Sequence, residues 1–148
     1  MQPAADAFIL DRIPHRPPFL WLDRVLEIGD GTIRAETTIR PDLPLFEGHY
    51  PGYPLMPGVL LCEAVFQAGA LLIGELMGGK EAMPGGGMPV LTRIMGAKFK
   101  REVRPGDTLE IAATLIERLG PAWLMKGSVR VGGKTAVQVE FACAQKRG

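Results

Sequence analysis

The sequence has few of the residues that build metal centres and disulfide frameworks. Its 148 residues include only two cysteines and two histidines. Cys62 and Cys143 lie far apart and show no metal-ligand or disulfide spacing, so both are predicted to be small core residues in a reducing compartment. We therefore expect no metal site and no cofactor.

An excess of charge is also missing. Seventeen Lys and Arg residues against sixteen Asp and Glu residues leave a net charge of +1, which gives no electrostatic reason to expect a nucleic-acid partner. The N-terminal stretch MQPAADAFILDRIPHRPPFL lacks the basic start, apolar core and cleavage site of a signal peptide, so a cytoplasmic location is expected. With 47% hydrophobic residues, the chain is predicted to form a single domain over residues 1–148.

The longest apolar run comes after a Pro- and Gly-rich segment. Residues 57–77 are predicted to form a helix, because Pro57 suits a first helical turn and good helix formers dominate the rest of the run. A helix that is apolar on all sides lies either in a protein core or in lipid. Glu63 and Gln67 interrupt the run, and an unpartnered carboxylate is costly at bilayer depth, so burial in a core is predicted and no membrane partner is expected.

Two polar groups in this region are candidates for chemistry. Glu63 and Gln67 are four residues apart and share a helix face, where a buried carboxylate serves either as a structural hydrogen-bond partner at a seam or as a functional acid. A lone histidine is usually structural. His49, however, lies on a stiff loop leading to a helix N-terminus, where free amides and the helix dipole favour a developing anion.

The rest of the chain predicts strands joined by tight turns. A short helix is expected at residues 6–13 with Asp6 as its cap, a GDG turn at 29–31, and a loop at 78–89. Strands are predicted at 20–28, 32–40, 90–99, 108–118, 122–131 and 135–145. The predicted fold class is α+β, a curved antiparallel β-sheet wrapped around one long central helix, whose open edges would pair in a homodimer.

Three sequence blocks carry a family resemblance. These are PHRPPFLWLDRV at 14–25, FEGHYPGYPLMPGVLLCEAVFQAG at 46–69 and AKFKREVRPGDTL at 97–109. In their order and spacing they resemble the 3-hydroxyacyl-[acyl carrier protein] dehydratases of the FabZ type, which have the hot-dog fold. The resemblance implies a hydro-lyase of fatty-acid biosynthesis that acts on phosphopantetheine-linked acyl chains of acyl carrier protein, as a homodimer or a trimer of dimers.

The resemblance also implies that His49 of one protomer and Glu63 of the other form the catalytic pair. His49 would remove the C2 proton, Glu63 would protonate or anchor the leaving hydroxyl, and the Gly58 amide would stabilise the thioester oxygen. Gln67 is expected to orient these catalytic groups. Pro57 is expected to contribute to substrate binding at the start of the helix. Phe66 stands where a smaller residue is frequent, so it is expected to narrow the acyl tunnel.

Other residues keep two interpretations. Lys98, Lys100, Arg101 and Arg104 form either a solvated strand face or a docking patch for the acidic carrier protein. His15, Trp21 and Trp123 are predicted to be structural.

Two further functions stay open: a hot-dog thioesterase, in which Glu63 would activate water, and a non-catalytic acyl-carrier-binding subunit. The sequence also leaves open the acyl chain length and a CoA substrate in place of the carrier.

Overall fold

The computed structural model describes residues 5–79 and 88–146. A single-turn helix and a long helix, α1 and α2, accompany six strands and one 3-10 turn. Their bounds are α1 Ala7–Leu10, β1 Arg24–Gly29, β2 Thr32–Thr38, the 3-10 turn Pro44–Glu47, α2 Gly58–Leu76, β3 Met88–Phe99, β4 Thr108–Leu119, β5 Ala122–Val131 and β6 Lys134–Lys146.

All six strands form one antiparallel sheet in the order β1-β2-β4-β5-β6-β3. Two-residue turns join β1 to β2 and β5 to β6. In the first, Asp30 and Gly31 both have positive φ angles, 54° and 76°, as the type I′ hairpin turn requires. The GDG turn predicted from the sequence is therefore confirmed.

Helix α2 lies on one face of the sheet and contacts every strand. The strand residues that face it are apolar and fully buried, among them Ile33, Ile111, Met125 and Phe141. The helix is long and apolar enough to cross a membrane, but two-thirds of that stretch is buried inside the protein, as the sequence predicted for a core helix. The α+β prediction of a sheet wrapped around one long helix is confirmed.

Several predicted elements are shorter than expected: β2 ends at Thr38 rather than at residue 40, and α2 loses one residue at each end. The two largest differences are near the N-terminus. The first strand begins at Arg24 rather than at residue 20, because Leu20, Trp21 and Leu22 are buried instead in the core. The N-terminal helix covers only Ala7–Leu10, and Asp6 precedes it without a capping hydrogen bond from its side chain. That carboxylate accepts a bond from the Val25 backbone N–H instead, at 3.4 Å.

Strands β1 and β3 form the two edges of the sheet. Beyond its start, β3 is exposed along its length, and its exposed apolar side chains are Val90, Leu91, Ile94, Met95 and Phe99. An exposed apolar edge strand is a surface that proteins normally cover. The predicted loop at 78–89 lies largely outside the described residues, and its last two residues belong to β3.

Candidate active site

The loop that carries His49 is held by its own backbone. The His49 N–H donates to the Leu45 carbonyl at 3.0 Å, and the Leu55 N–H donates back to the His49 carbonyl at 3.0 Å. The Met56 N–H then donates to the Val103 carbonyl at 2.8 Å, which ties the loop to the segment between β3 and β4. These bonds fix the backbone from which the imidazole projects.

A hydrogen bond also decides which imidazole nitrogen is basic. His49 Nδ1 lies 2.9 Å from the Leu55 carbonyl oxygen. A carbonyl only accepts, so Nδ1 carries the hydrogen and Nε2 of the neutral ring keeps the lone pair. The ring is half-buried and stacks on Tyr50, with 4.1 Å between ring centroids. The structure therefore holds a proton acceptor in one tautomer and one orientation.

His49 lines a cleft of about 370 Å³ beside the start of α2. Gly58, Phe99 and Arg101 line the same cleft. No side chain caps the start of α2, so its first amides remain available to an oxygen in the cleft. A Cβ atom at Gly58 would lie 2.7 Å from the Phe99 ring, which explains why this position has no side chain.

Glu63 lies about one and a half helical turns beyond Gly58 on α2, where different residues contact it. Its Oε2 accepts a hydrogen bond from Gln67 Nε2 at 3.1 Å. The Gln67 side chain is only 1% exposed. Its Nε2 also donates to the Phe19 carbonyl at 2.9 Å, and its Oε1 accepts a hydrogen bond from the Trp21 N–H at 2.9 Å. Gln67 thus joins the acid to the Pro-rich N-terminal segment.

His15 also approaches this acid. Its Nε2 lies 3.8 Å from Glu63 Oε2, and the two side chains are 27% and 23% exposed. Sequence reasoning assigned His15 a structural role and did not pair it with Glu63. No local spacing joins these residues, because forty-eight positions separate them and only the packing of the segment against α2 brings them together.

The whole site lies within a stretch that matches a known protein family. The model of the FabA-like domain matches residues 13–140, which is most of the chain. The chain belongs to the FabA-like family. The match spans the His49 loop, helix α2 and five of the six strands completely, so the family relationship covers both halves of the candidate site.

Among its curated relatives are the FabZ-type dehydratases of this family. The chain is 43% identical to the 3-hydroxyacyl-[acyl-carrier-protein] dehydratase FabZ of Anaeromyxobacter sp. (strain Fw109-5), over 94% of this chain and 89% of the relative. It is 42% identical to the enzyme of the same name from Proteus mirabilis (strain HI4320), over 94% and 91%. The resemblance found in the three sequence blocks is confirmed.

The fold agrees with a solved dehydratase structure. The dehydratase heterocomplex ApeI:P from Xenorhabdus doucetiae superposes with a TM-score of 0.71 at 20% identity, covering 93% of this chain and 90% of that one. At this identity the likeness shows the fold alone. It confirms the hot-dog architecture of this FabA-like protein.

Within this chain the predicted catalytic pair is divided. No hydrogen bond or ion pair joins His49 to Glu63 in residues 5–79 and 88–146, and Glu63 is not among the residues that line the His49 cleft. Helix geometry gives the reason: at ~100° per residue, positions 58 and 63 face directions about 140° apart. The helix therefore presents its amide end and its acid to different surroundings.

The remaining predicted site residues are spread over the molecule. Pro57 is the N-cap residue of α2, and the Phe66 ring packs on Phe141 with centroids 4.9 Å apart. The predicted docking residues do not share one surface: Arg101 lines the His49 cleft, whereas Lys98 lines a groove of about 630 Å³ on the sheet. Lys100 is exposed.

Arg104 has local partners. Its guanidinium lies 3.2 Å from Glu102 Oε2 and stacks over the Tyr53 ring at 4.3 Å. The Tyr53 hydroxyl donates to the same carboxylate at 2.7 Å. This hydrogen bond is the larger cause, and the one from Arg104 the next, of a lowered pKa at Glu102. The cluster joins the His49 loop to the segment after β3.

Proposed function

We propose that this protein is a (3R)-3-hydroxyacyl-[acyl carrier protein] dehydratase of fatty-acid biosynthesis. It is a hydro-lyase that eliminates water to give the trans-2-enoyl thioester. The observation that carries this proposal is the fixed His49 tautomer, which sets a basic Nε2 in a cleft beside uncapped helix amides. The curated relatives of the same name support it.

Proton removal from C2 is assigned to His49. The lone pair on Nε2 of its neutral imidazole suits a general base. As the proton moves to Nε2, the Nδ1 hydrogen bond to the Leu55 carbonyl steadies the positive charge that develops on the ring. The base is thereby held in place throughout the step.

Stabilisation of the negative charge that gathers on the thioester oxygen is assigned to the start of α2. The Gly58 amide and the positive end of the helix dipole stabilise this charge. Removal of one such donor typically costs on the order of a hundredfold in rate. The missing side chain at Gly58 leaves room for the thioester, and Pro57 fixes the turn that precedes it.

Loss of the C3 hydroxyl as water is assigned to Glu63. The Glu63 carboxyl gives its proton to the departing oxygen, and Gln67 holds the carboxyl through Oε2. Phe66 would limit the depth of the acyl channel beside it. We assign the His49 and Glu63 of one site to different protomers, because a single chain separates them.

The partner is assigned as an acyl carrier protein bearing a phosphopantetheine-linked chain, and the location as cytoplasmic. The exposed Arg101 lines the cleft and suits contact with an acidic carrier surface there, with the exposed Lys100 next to it in the chain. Lys98 lines the separate groove on the sheet and is not assigned to this contact. Arg104 is engaged with Glu102 and contributes less charge to docking.

A product assay tests the function. The protein is incubated with a (3R)-3-hydroxyacyl carrier substrate and, separately, with a saturated acyl thioester of equal length. We expect enoyl thioester from the first and no reaction with the second. Release of free thiol from the saturated thioester without enoyl product would contradict a dehydratase and identify a thioesterase, and no turnover of either would indicate a binding subunit.

A further inference from the structure

The surroundings of Glu63 come from three parts of the chain. His15 approaches from the N-terminal segment, Gln67 from α2, and Cys143 from β6. Burial, and next the charge of Glu63, raise the pKa of the Cys143 thiol to about 11, so this group stays neutral during turnover. The polar contacts of the Glu63 carboxyl among these three neighbours come from Gln67 and His15.

One hydrogen bond and one longer polar contact reach the same oxygen of Glu63. Gln67 Nε2 donates to Oε2 at 3.1 Å, and His15 Nε2 lies 3.8 Å from Oε2. Within residues 5–79 and 88–146, no hydrogen bond reaches Oε1. Oε2 therefore contacts the protein, and Oε1 is left for a ligand.

His15 is held at this place by its neighbours. The Arg16 guanidinium donates to the carbonyls of Ile13, His15 and Leu10 at 2.7–2.8 Å. Gln67 anchors the far side of the segment through the Phe19 carbonyl. His15 Nδ1 is buried without a hydrogen-bond partner, so the imidazole makes its polar contact through Nε2 alone.

We propose that His15 is a positioning residue for the dehydration step, a role that rests on the proposed function. With Gln67, its Nε2–H holds Oε2 as the accepting oxygen, and the acidic proton of Glu63 is therefore carried on Oε1. A carboxyl proton on Oε1 is free to reach the substrate hydroxyl. His15 does not touch the reacting atoms; it acts through Glu63.

The same contact serves the product state. In the elimination, the C3–O bond breaks, the Oε1 proton joins the leaving oxygen to form water, and His49 holds the C2 proton. Glu63 is then a carboxylate, and N–H groups directed at Oε2 stabilise its charge. Solvent returns a proton to Glu63 and removes one from His49, which closes the cycle with no net change in the enzyme.

Three substitutions at His15 test the proposal. His15→Phe keeps the ring shape without a donor, His15→Asn keeps polarity with a side chain too short to reach Glu63, and His15→Gln restores an N–H near the Nε2 position. We expect kcat to fall about tenfold in the first two, because a polar contact to the carboxylate that forms in the elimination is lost, with KM little changed. His15→Gln should keep most of the activity.

The split between kcat and KM separates this role from packing. A variant that only loosens the packing of the N-terminal segment should raise KM as well, whereas loss of the His15 N–H alone should lower kcat with KM little changed. His15→Gln should restore kcat.

Either His15→Phe or His15→Asn, once folded, overturns the proposal if its kcat matches the wild type. An equal loss in His15→Gln overturns it as well, because that result assigns His15 to packing. Absence of enoyl product from the wild-type protein would instead contradict the proposed function, so the two failures are distinct.

Discussion

At the scale of single residues, the hydrogen bond at His49 has the largest chemical consequence. A carbonyl partner at Nδ1 converts an ordinary imidazole into a base with one defined acceptor nitrogen. Gly58 is also important, because it has no side chain. At this position a methyl group would meet the Phe99 ring at the cleft.

Gly58→Ala is expected to impair catalysis more than folding. The new Cβ would lie 2.7 Å from Phe99, whose exposed ring can move aside, so the free energy of unfolding should change by less than about 1 kcal/mol. The displaced ring and the methyl group narrow the cleft, and enoyl formation should drop on the order of a hundredfold. Urea denaturation and initial rates measure the two effects.

The double variant Gly58→Ala/Phe99→Leu is the control for this mechanism. The second substitution removes the ring that the new methyl group contacts, so part of the lost activity should return relative to Phe99→Leu alone. Wild-type rates in Gly58→Ala would show that the cleft tolerates a side chain and would contradict the need for glycine here, since the backbone N–H is present in both proteins.

At the scale of elements, the close approach of α2 to the sheet depends on a glycine in β5. A Cβ at Gly127 would lie 2.3 Å from Val65 Cγ1 on the helix and 2.5 Å from the Ala112 carbonyl oxygen on the neighbouring strand. The second of these atoms is backbone and cannot rotate away. The helix can therefore lie this close to the strands only while position 127 has no side chain.

Gly127→Ala is accordingly expected to destabilise the fold. Overpacking against both helix and strand should lower the free energy of unfolding by about 2 kcal/mol or more, measured by urea denaturation. Gly48→Ala is the control for the stability measurement, because its φ of −109° admits a side chain and a Cβ there would make an ordinary contact, 3.9 Å from the Leu45 carbonyl oxygen. Equal stability of the two variants would show that α2 moves away from the sheet without cost.

At the scale of the whole molecule, the uncovered strand β3 and the divided catalytic pair have one explanation. A two-fold contact along β3 would cover its apolar side chains and bring a second chain to the His49 cleft, whose wall includes Phe99 at the end of β3. In the proposed dimer, the second chain would complete the site as well as the sheet.

Ile94→Lys is expected to weaken this contact. A lysine in the middle of β3 places a charge in the apolar interface, so light scattering should show monomers at concentrations where the wild type is dimeric, with a parallel loss of enoyl formation. Ile116→Lys on β4 is the control, since both isoleucines are 50% exposed. A dimeric and active Ile94→Lys protein would place the interface elsewhere.

Mixed dimers test the origin of the catalytic pair. His49→Ala and Glu63→Ala should each be inactive alone. If each site takes its histidine and its acid from different chains, refolding an equal mixture should recover about a quarter of the wild-type activity, because half of the dimers are mixed and each has one intact site. Activity no higher than that of the separate variants would place both groups in one chain.

Local sequence patterns were enough to predict the long buried helix and the hairpin turns. Those features depend on neighbouring residues: Pro57 before an apolar run, and Asp30 and Gly31 at positive φ. The catalytic roles of His49 and Glu63 stay predictions that the family resemblance implies. The first strand was predicted too long, because alternation alone does not show that Trp21 gives its N–H to Gln67 rather than to a neighbouring strand.

Which groups meet could be learned only from the folded chain. The fold places His15 beside Glu63, joins Gln67 to the N-terminal segment, and separates the cleft from the acid on two faces of one helix. These relations are set by how distant segments pack, and packing is a property of the whole chain that the spacing of residues along the sequence does not contain.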